Sequence, residues 1–95
     1  MDNKISTLEL LILAMLARNE KELYGLEMIR FSGGMLKKQT LYTTLKRMED
    51  KKLIKSRTEK KRDNGRGLPR RFYRLLSKGQ NTVDEYQELL GWGER

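Results

Sequence analysis

The most constraining feature of this chain is a change of hydrophobic period. Three segments of helical periodicity are followed by two β-rich runs around a loop, then by one more helical segment. Helical and strand periods commit a chain to different ways of burying its apolar side, so their order admits few folds. Ser6-Thr7-Leu8-Glu9 has the spacing of a capping box and predicts a helix start. Leu8, Leu11, Ile12, Met15 and Leu16 then recur at three and four residues, with Leu10, Leu13 and Ala14 widening the stripe. A second, shorter helix is expected over residues 23–31, with Leu23, Leu26 and Ile29 toward a core, stopped by Ser32-Gly33-Gly34. A third is expected over residues 38–50, where Leu41, Leu45 and Met48 form an apolar back.

After Asp50-Lys51-Lys52, residues 53–59 and 70–75 read as strands, and Asp63-Asn64-Gly65-Arg66-Gly67 between them can close a long-looped hairpin. Pro69 suits an edge or a strand entry. Ser77-Lys78-Gly79-Gln80 repeats the capping-box spacing and opens a last helix, to about Leu90, whose stripe is Val83, Tyr86, Leu89 and Leu90. The expected fold is mainly α with a small β-hairpin, a winged helix-turn-helix in the order α-α-α-β-β-α. Residues 1–76 would form the winged unit, and residues 77–95 a C-terminal dimerisation helix and tail. The first helix is apolar on more than one face, and monomers rarely leave such surface bare. Leu8, Leu11, Ile12, Met15, Val83, Tyr86, Leu90 and Trp92 are therefore the candidate interface of a homodimer.

Charge is distributed as unevenly as hydropathy. The chain has 21 Lys and Arg against 13 Asp and Glu, a net +8. Nine of those cations and two of the acids fall between Lys55 and Arg74, so this one segment carries nearly the whole excess. A concentrated positive charge beside a helix-turn-helix pattern selects a polyanionic partner, double-stranded DNA before others. On the front of the third helix, Gln39 offers an amide to adenine and Thr43 a methyl or hydroxyl, while Lys46 and Arg47 reach guanine or phosphate. Lys37, Lys38 and Thr40 lie at the helix start, where free N–H groups favour phosphate. Tyr42 flanks it with a phenolic donor. Arg62, Arg66, Arg70 and Arg71 sit in or beside the hairpin loop and suit the flanking backbone or minor groove.

Other classes fit less well. With neither His nor Cys, the usual acid–base and nucleophilic constellations are missing, and no enzyme, metal or cofactor is expected. The apolar run 10–16 falls short of the roughly 20 residues a membrane span needs, and no signal-peptide cleavage pattern follows it. A cytoplasmic protein is expected, cysteine-free as befits a reducing compartment. Only Tyr42, Phe72 and Tyr73 could stack single-stranded bases, a poor platform for RNA. A winged-helix module that binds protein, such as an anti-repressor, is the alternative function, although a basic wing serves it only with an acidic partner. Trp92 reads as an interface or terminal anchor, and nothing supports a small-molecule effector.

Several motifs in order resemble the PadR family of bacterial transcriptional regulators. They are the Leu-rich run 8–13, Tyr24-Gly25, Thr40-Leu41-Tyr42, and Gly67-Leu68-Pro69-Arg70-Arg71-Phe72-Tyr73-Arg74-Leu75-Leu76-Ser77. The resemblance spans roughly residues 5–80. It implies a winged-helix DNA-binding regulator, dimeric through its first and last helices and recognising a palindromic operator, with Tyr42 on phosphate. Family members usually carry Ser-Pro-Gly before Thr-Leu-Tyr. Here Lys37-Lys38-Gln39 stands instead, which changes the cap and the chemistry offered to DNA. The larger C-terminal effector domain of some members is not expected.

Overall fold

A computed structural model describes residues 4–19, 22–60 and 69–91 of the protein. The elements run α1 (Thr7–Asn19), β1 (Leu23–Tyr24), α2 (Gly25–Phe31), α3 (Lys38–Asp50), β2 (Ile54–Thr58), β3 (Arg71–Leu75) and α4 (Ser77–Leu90). This is the mainly helical winged helix expected, with one strand added. The three strands form an antiparallel sheet in the order β1-β3-β2.

The added strand corrects the reading of residues 23–31. Leu23 pairs with Tyr73 and Tyr24 with Phe72, so these two residues are extended and the helix starts only at Gly25. The Glu27 carboxylate accepts from the Tyr24 N–H at 3.0 Å and ties the strand to the helix start. Tertiary pairing overrides the local preference and turns the helix: Met28 is fully buried, while Leu26 stands 54% exposed.

Helix α1 begins as the spacing predicts. Ser6 N–H donates to Glu9 Oε1 at 2.9 Å and Glu9 N–H to Ser6 Oγ at 3.1 Å. Helix α4 does not repeat this. Its N-cap is Leu76, without a side-chain cap, and Gln80 donates to Asp84 at 3.0 Å instead. Packing sets this start: the Leu76 N–H donates to the Leu53 carbonyl at 3.0 Å, and a Cβ at Gly79 would strike that same oxygen. Helix α3 ends in a Schellman turn, in which Leu53 N–H reaches Met48 O and Lys52 N–H reaches Glu49 O. Lys52 takes the positive φ, 66°, that glycine usually supplies there.

The core draws on every layer. Ile12, Leu13 and Leu16 of α1 meet Met28 of α2, Leu41, Leu45 and Met48 of α3, Leu53, Ile54 and Tyr73 from the sheet side, and Val83 of α4. Each such side chain contributes about 1.5–3 kcal/mol on burial. Because Val83 belongs to this core and α4 packs on α1, the first half of α4 is part of the winged unit rather than an appendage to it. Among the described residues no helix is long and apolar enough to cross a membrane.

Candidate nucleic-acid interface

Helix α3 separates two kinds of side chain. Leu41, Thr44, Leu45 and Met48 are buried, with the Thr44 hydroxyl satisfied by the Thr40 carbonyl at 2.8 Å. Lys37, Lys38, Gln39, Thr40, Tyr42, Thr43, Lys46 and Arg47 are all exposed. The helix opens on Lys37 in extended conformation with no side-chain cap, so its first N–H groups are left for another acceptor. Thr43 spends its hydroxyl proton on the Gln39 carbonyl at 3.1 Å and presents its methyl and lone pairs outward. Gln39, Thr40, Thr43, Thr44 and Arg47 line an open depression on this face.

Tyr42 is held at the flank by its fit to α2. Its phenol lies where a Cβ on Gly25 would be, so the glycine is what lets the ring pack there. Arg47 is half exposed, and its Nη1 stands 4.0 Å from Glu9 Oε2. Glu9 itself is 1% exposed and accepts from Lys51 Nζ at 3.2 and 3.1 Å, while Lys51 also donates to the Lys4 carbonyl. A buried carboxylate thus joins the start of α1 to the end of α3. Sequence spacing shows Glu9 as a capping residue; its ion pair with a residue 42 positions away has no local signal.

The wing's two faces differ. Ser56, Tyr73 and Leu23 share a register row directed at the core, whereas Arg57, Phe72 and Tyr24 form a row on the outer face. There Tyr24 and Phe72 meet edge to face at 5.4 Å, Arg57 lies 5.0 Å over the Phe72 ring and Arg70 4.8 Å over the Tyr24 ring. Arg57 Nε and Nη2 also grip the Glu22 carboxylate at 2.7–3.0 Å. Hydrogen bonding from Arg57 holds the Glu22 pKa below the ordinary carboxylate range, and the same bond raises that of Arg57. Burial pushes the Tyr73 phenol up, with Arg71, Glu49 and Tyr42 as its charged and polar neighbours. Arg71 therefore shares the α3 side of β3 with Tyr73 and Tyr42, while Arg70 lies on the other side. Two arginines adjacent in sequence face opposite ways. Arg62 and Arg66 lie outside the described residues.

The candidate dimer face needs correction. Ile12, Met15 and Val83 are 0%, 9% and 1% exposed within the protomer's own core, so they have no surface left for a partner. Leu8 and Leu11 on α1 and Tyr86 on α4 remain half-buried, and Leu90 is exposed. Leu89, part of the α4 stripe, is the barest of all at 80%. Ile5, Tyr86 and Leu89 also flank a cleft of about 520 Å³ between the start of α1 and α4. Trp92 lies outside the described residues.

A three-helix unit with a β-wing folded against its third helix, polar on one helix face and basic along the wing, defines a winged helix-turn-helix protein. The family described as Transcriptional regulator PadR-like matches residues 12–85, and the chain belongs to it. A search of curated proteins finds no match. Among solved structures, a PadR family transcription regulator from hypervirulent Clostridium difficile R20291 is similar, with 31% identity, a TM-score of 0.72, and 87% of this chain and 85% of that one covered. Bacillus subtilis PadR in complex with operator DNA shares the fold at 24% identity and TM-score 0.72, over 85% of this chain and 46% of that one. The circadian clock associated protein Pex from Anabaena is 28% identical with a TM-score of 0.64, over 87% of this chain and 71% of that one.

Proposed function

We propose that this PadR-family regulator is a repressor that binds a palindromic operator as a homodimer. In this reading α3 enters the major groove, where Gln39, Thr43, Lys46 and Arg47 read base edges. Lys37, Lys38, Thr40 and Tyr42 hold the adjoining phosphates. Arg71 extends that surface from the wing, and Arg70, with Arg62 and Arg66 between the two wing strands in sequence, serves the flanking backbone or minor groove. The distal half of α4 with the outer face of α1 joins two protomers through Leu8, Leu11, Tyr86, Leu89 and Leu90, setting two α3 helices on successive groove turns. The operator DNA held by the similar fold of Bacillus subtilis PadR supports an operator as the target.

The observation that carries the proposal is the division of α3. Its back is packed into the core. Its exposed front, counted from Lys37 to Arg47, holds four cations, two threonines, an amide and a phenol but no carboxylate. Such a face suits a polyanion with patterned hydrogen-bonding edges. Selection of bound duplexes from a random pool tests it: a two-fold symmetric site is expected, and a pool enriched in no sequence would contradict base reading by α3.

A further inference from the structure

We infer that Glu9 of α1 is a positioning residue for base reading: its buried carboxylate sets the direction in which Arg47 leaves α3 and so sharpens the discrimination of that helix between base pairs. The inference rests on the proposed reading of base edges by Arg47. It extends that reading to a side chain that a duplex does not touch, since Glu9 is 1% exposed.

Glu9 is fixed without help from Arg47. Its Oε1 accepts from the Ser6 N–H at 2.9 Å and from Lys51 Nζ at 3.2 Å, and its Oε2 accepts from Lys51 Nζ at 3.1 Å. Lys51, at the C-cap of α3, is tied in turn to the Lys4 carbonyl at 2.9 Å. The carboxylate is thus already paired, and both its oxygens are hydrogen-bonded. Arg47 Nη1 stands 4.0 Å from Oε2, too far for a hydrogen bond and close enough to feel the charge. The carboxylate is the anchored member of this pair, and the arginine is the one that is directed.

Direction matters at this position. The Arg47 side chain is half exposed and lines the open depression on α3 with Gln39, Thr40 and Thr43, so Glu9 stands at the end of the reading face itself. An arginine on a bare helix surface has many rotamers, and holding it in one geometry on contact costs binding free energy. A fixed negative charge set in the protein side of the contact, where solvent screens it less than in bulk water, narrows those rotamers before DNA arrives. With Nη1 turned toward Glu9, the remaining N–H groups of the planar fork are left for the paired acceptors of a guanine edge. A neutral residue at position 9 would let Arg47 point in more directions, and a contact that needs two donors in register suffers most from that freedom.

The test is a double-mutant cycle on discrimination, the ratio of affinity for the selected duplex to affinity for duplexes with single base-pair changes. It compares wild type, E9Q, R47A and E9Q/R47A at one salt concentration. The charge lost in E9Q acts on all these duplexes alike and cancels in the ratio. R47A identifies the base pair that Arg47 reads, as the one where the ratio falls. There E9Q should lower the ratio about threefold or more, and should lower it no further once Arg47 is gone. A merely structural role for Glu9 would instead lower the melting temperature in both backgrounds and leave the ratio untouched. Should E9Q fail to fold, E9M/K51M removes the buried pair without stranding a charge or changing the net charge, an exchange that buried pairs often tolerate. It is expected to lower the ratio as E9Q does. A ratio that these variants leave intact, raise, or lower equally in the R47A background overturns the inference while leaving the operator reading intact. A ratio that R47A itself changes at no base pair overturns base reading by Arg47 and the inference with it.

Discussion

Gly25 and Tyr42 illustrate how a single residue sets the site. A methyl group at Gly25 meets the far end of the Tyr42 ring, which can swing away, and alanine is otherwise favoured over glycine in a helix by up to about 1 kcal/mol. Gly25→Ala is therefore expected to leave thermal stability nearly unchanged yet to weaken duplex binding as much as Tyr42→Ala does. Intact affinity would remove Tyr42 from the phosphate contacts. Glu22 gives a pH test. Its folded pKa lies below the ordinary 4.5, so the Arg57 pair contributes fully above that value and is lost as pH falls through the lower, folded one. The difference in melting temperature between wild type and Glu22→Gln should be present at about pH 6 and fade in acid, where the carboxylate is protonated. A difference that grew in acid would reverse the sign of the assignment.

At the scale of elements, the starts of α4 and α2 show where packing governs. Gly79 differs from Gly25 because what it would strike is backbone: the Leu53 carbonyl, already fixed by Leu76, with Leu75 Cδ2 only 3.1 Å away. Gly79→Ala should cost about 1–3 kcal/mol of stability, measured by denaturant unfolding, because the backbone carbonyl of Leu53 cannot retreat as a side-chain end can. Elements whose cause is local were legible in the sequence. Ser6 and Glu9 cap α1 as their spacing requires, the apolar back of α3 is Leu41, Leu45 and Met48, and the two wing strands fall within the runs expected. What was illegible depends on distant partners. Leu23 looks helical until Tyr73 pairs with it, and Ser77 resembles a cap until Leu53 takes the Leu76 N–H. The opposed directions of Arg70 and Arg71 follow from strand alternation, but only once the strand's inner residue, Tyr73, is known. Likewise a stripe of Ile12, Met15 and Val83 says apolar, not whether the cover is the protomer's own core or a second copy.

At the scale of the whole molecule, the proposed function requires two surfaces to cooperate: the apolar edge of α1 and α4 and the basic face of α3 and the wing. Leu89 is the most exposed large apolar side chain of the described residues and sits on the first of these. Leu89→Glu should convert a dimer to a monomer in sedimentation and reduce operator affinity without unfolding the protomer, since nothing in the core rests on it. The central claim, that α3 reads bases while Arg71 beside it holds phosphate, is tested most directly by titrating wild type, Gln39→Ala and Arg71→Ala against the selected duplex and a scrambled one over a range of salt. The account predicts that Arg71→Ala weakens both duplexes alike and flattens the salt slope by about 0.9 for each phosphate set free, whereas Gln39→Ala keeps the slope and costs about 1–3 kcal/mol on the selected duplex only. Equal losses and equal slopes for the two variants would contradict it.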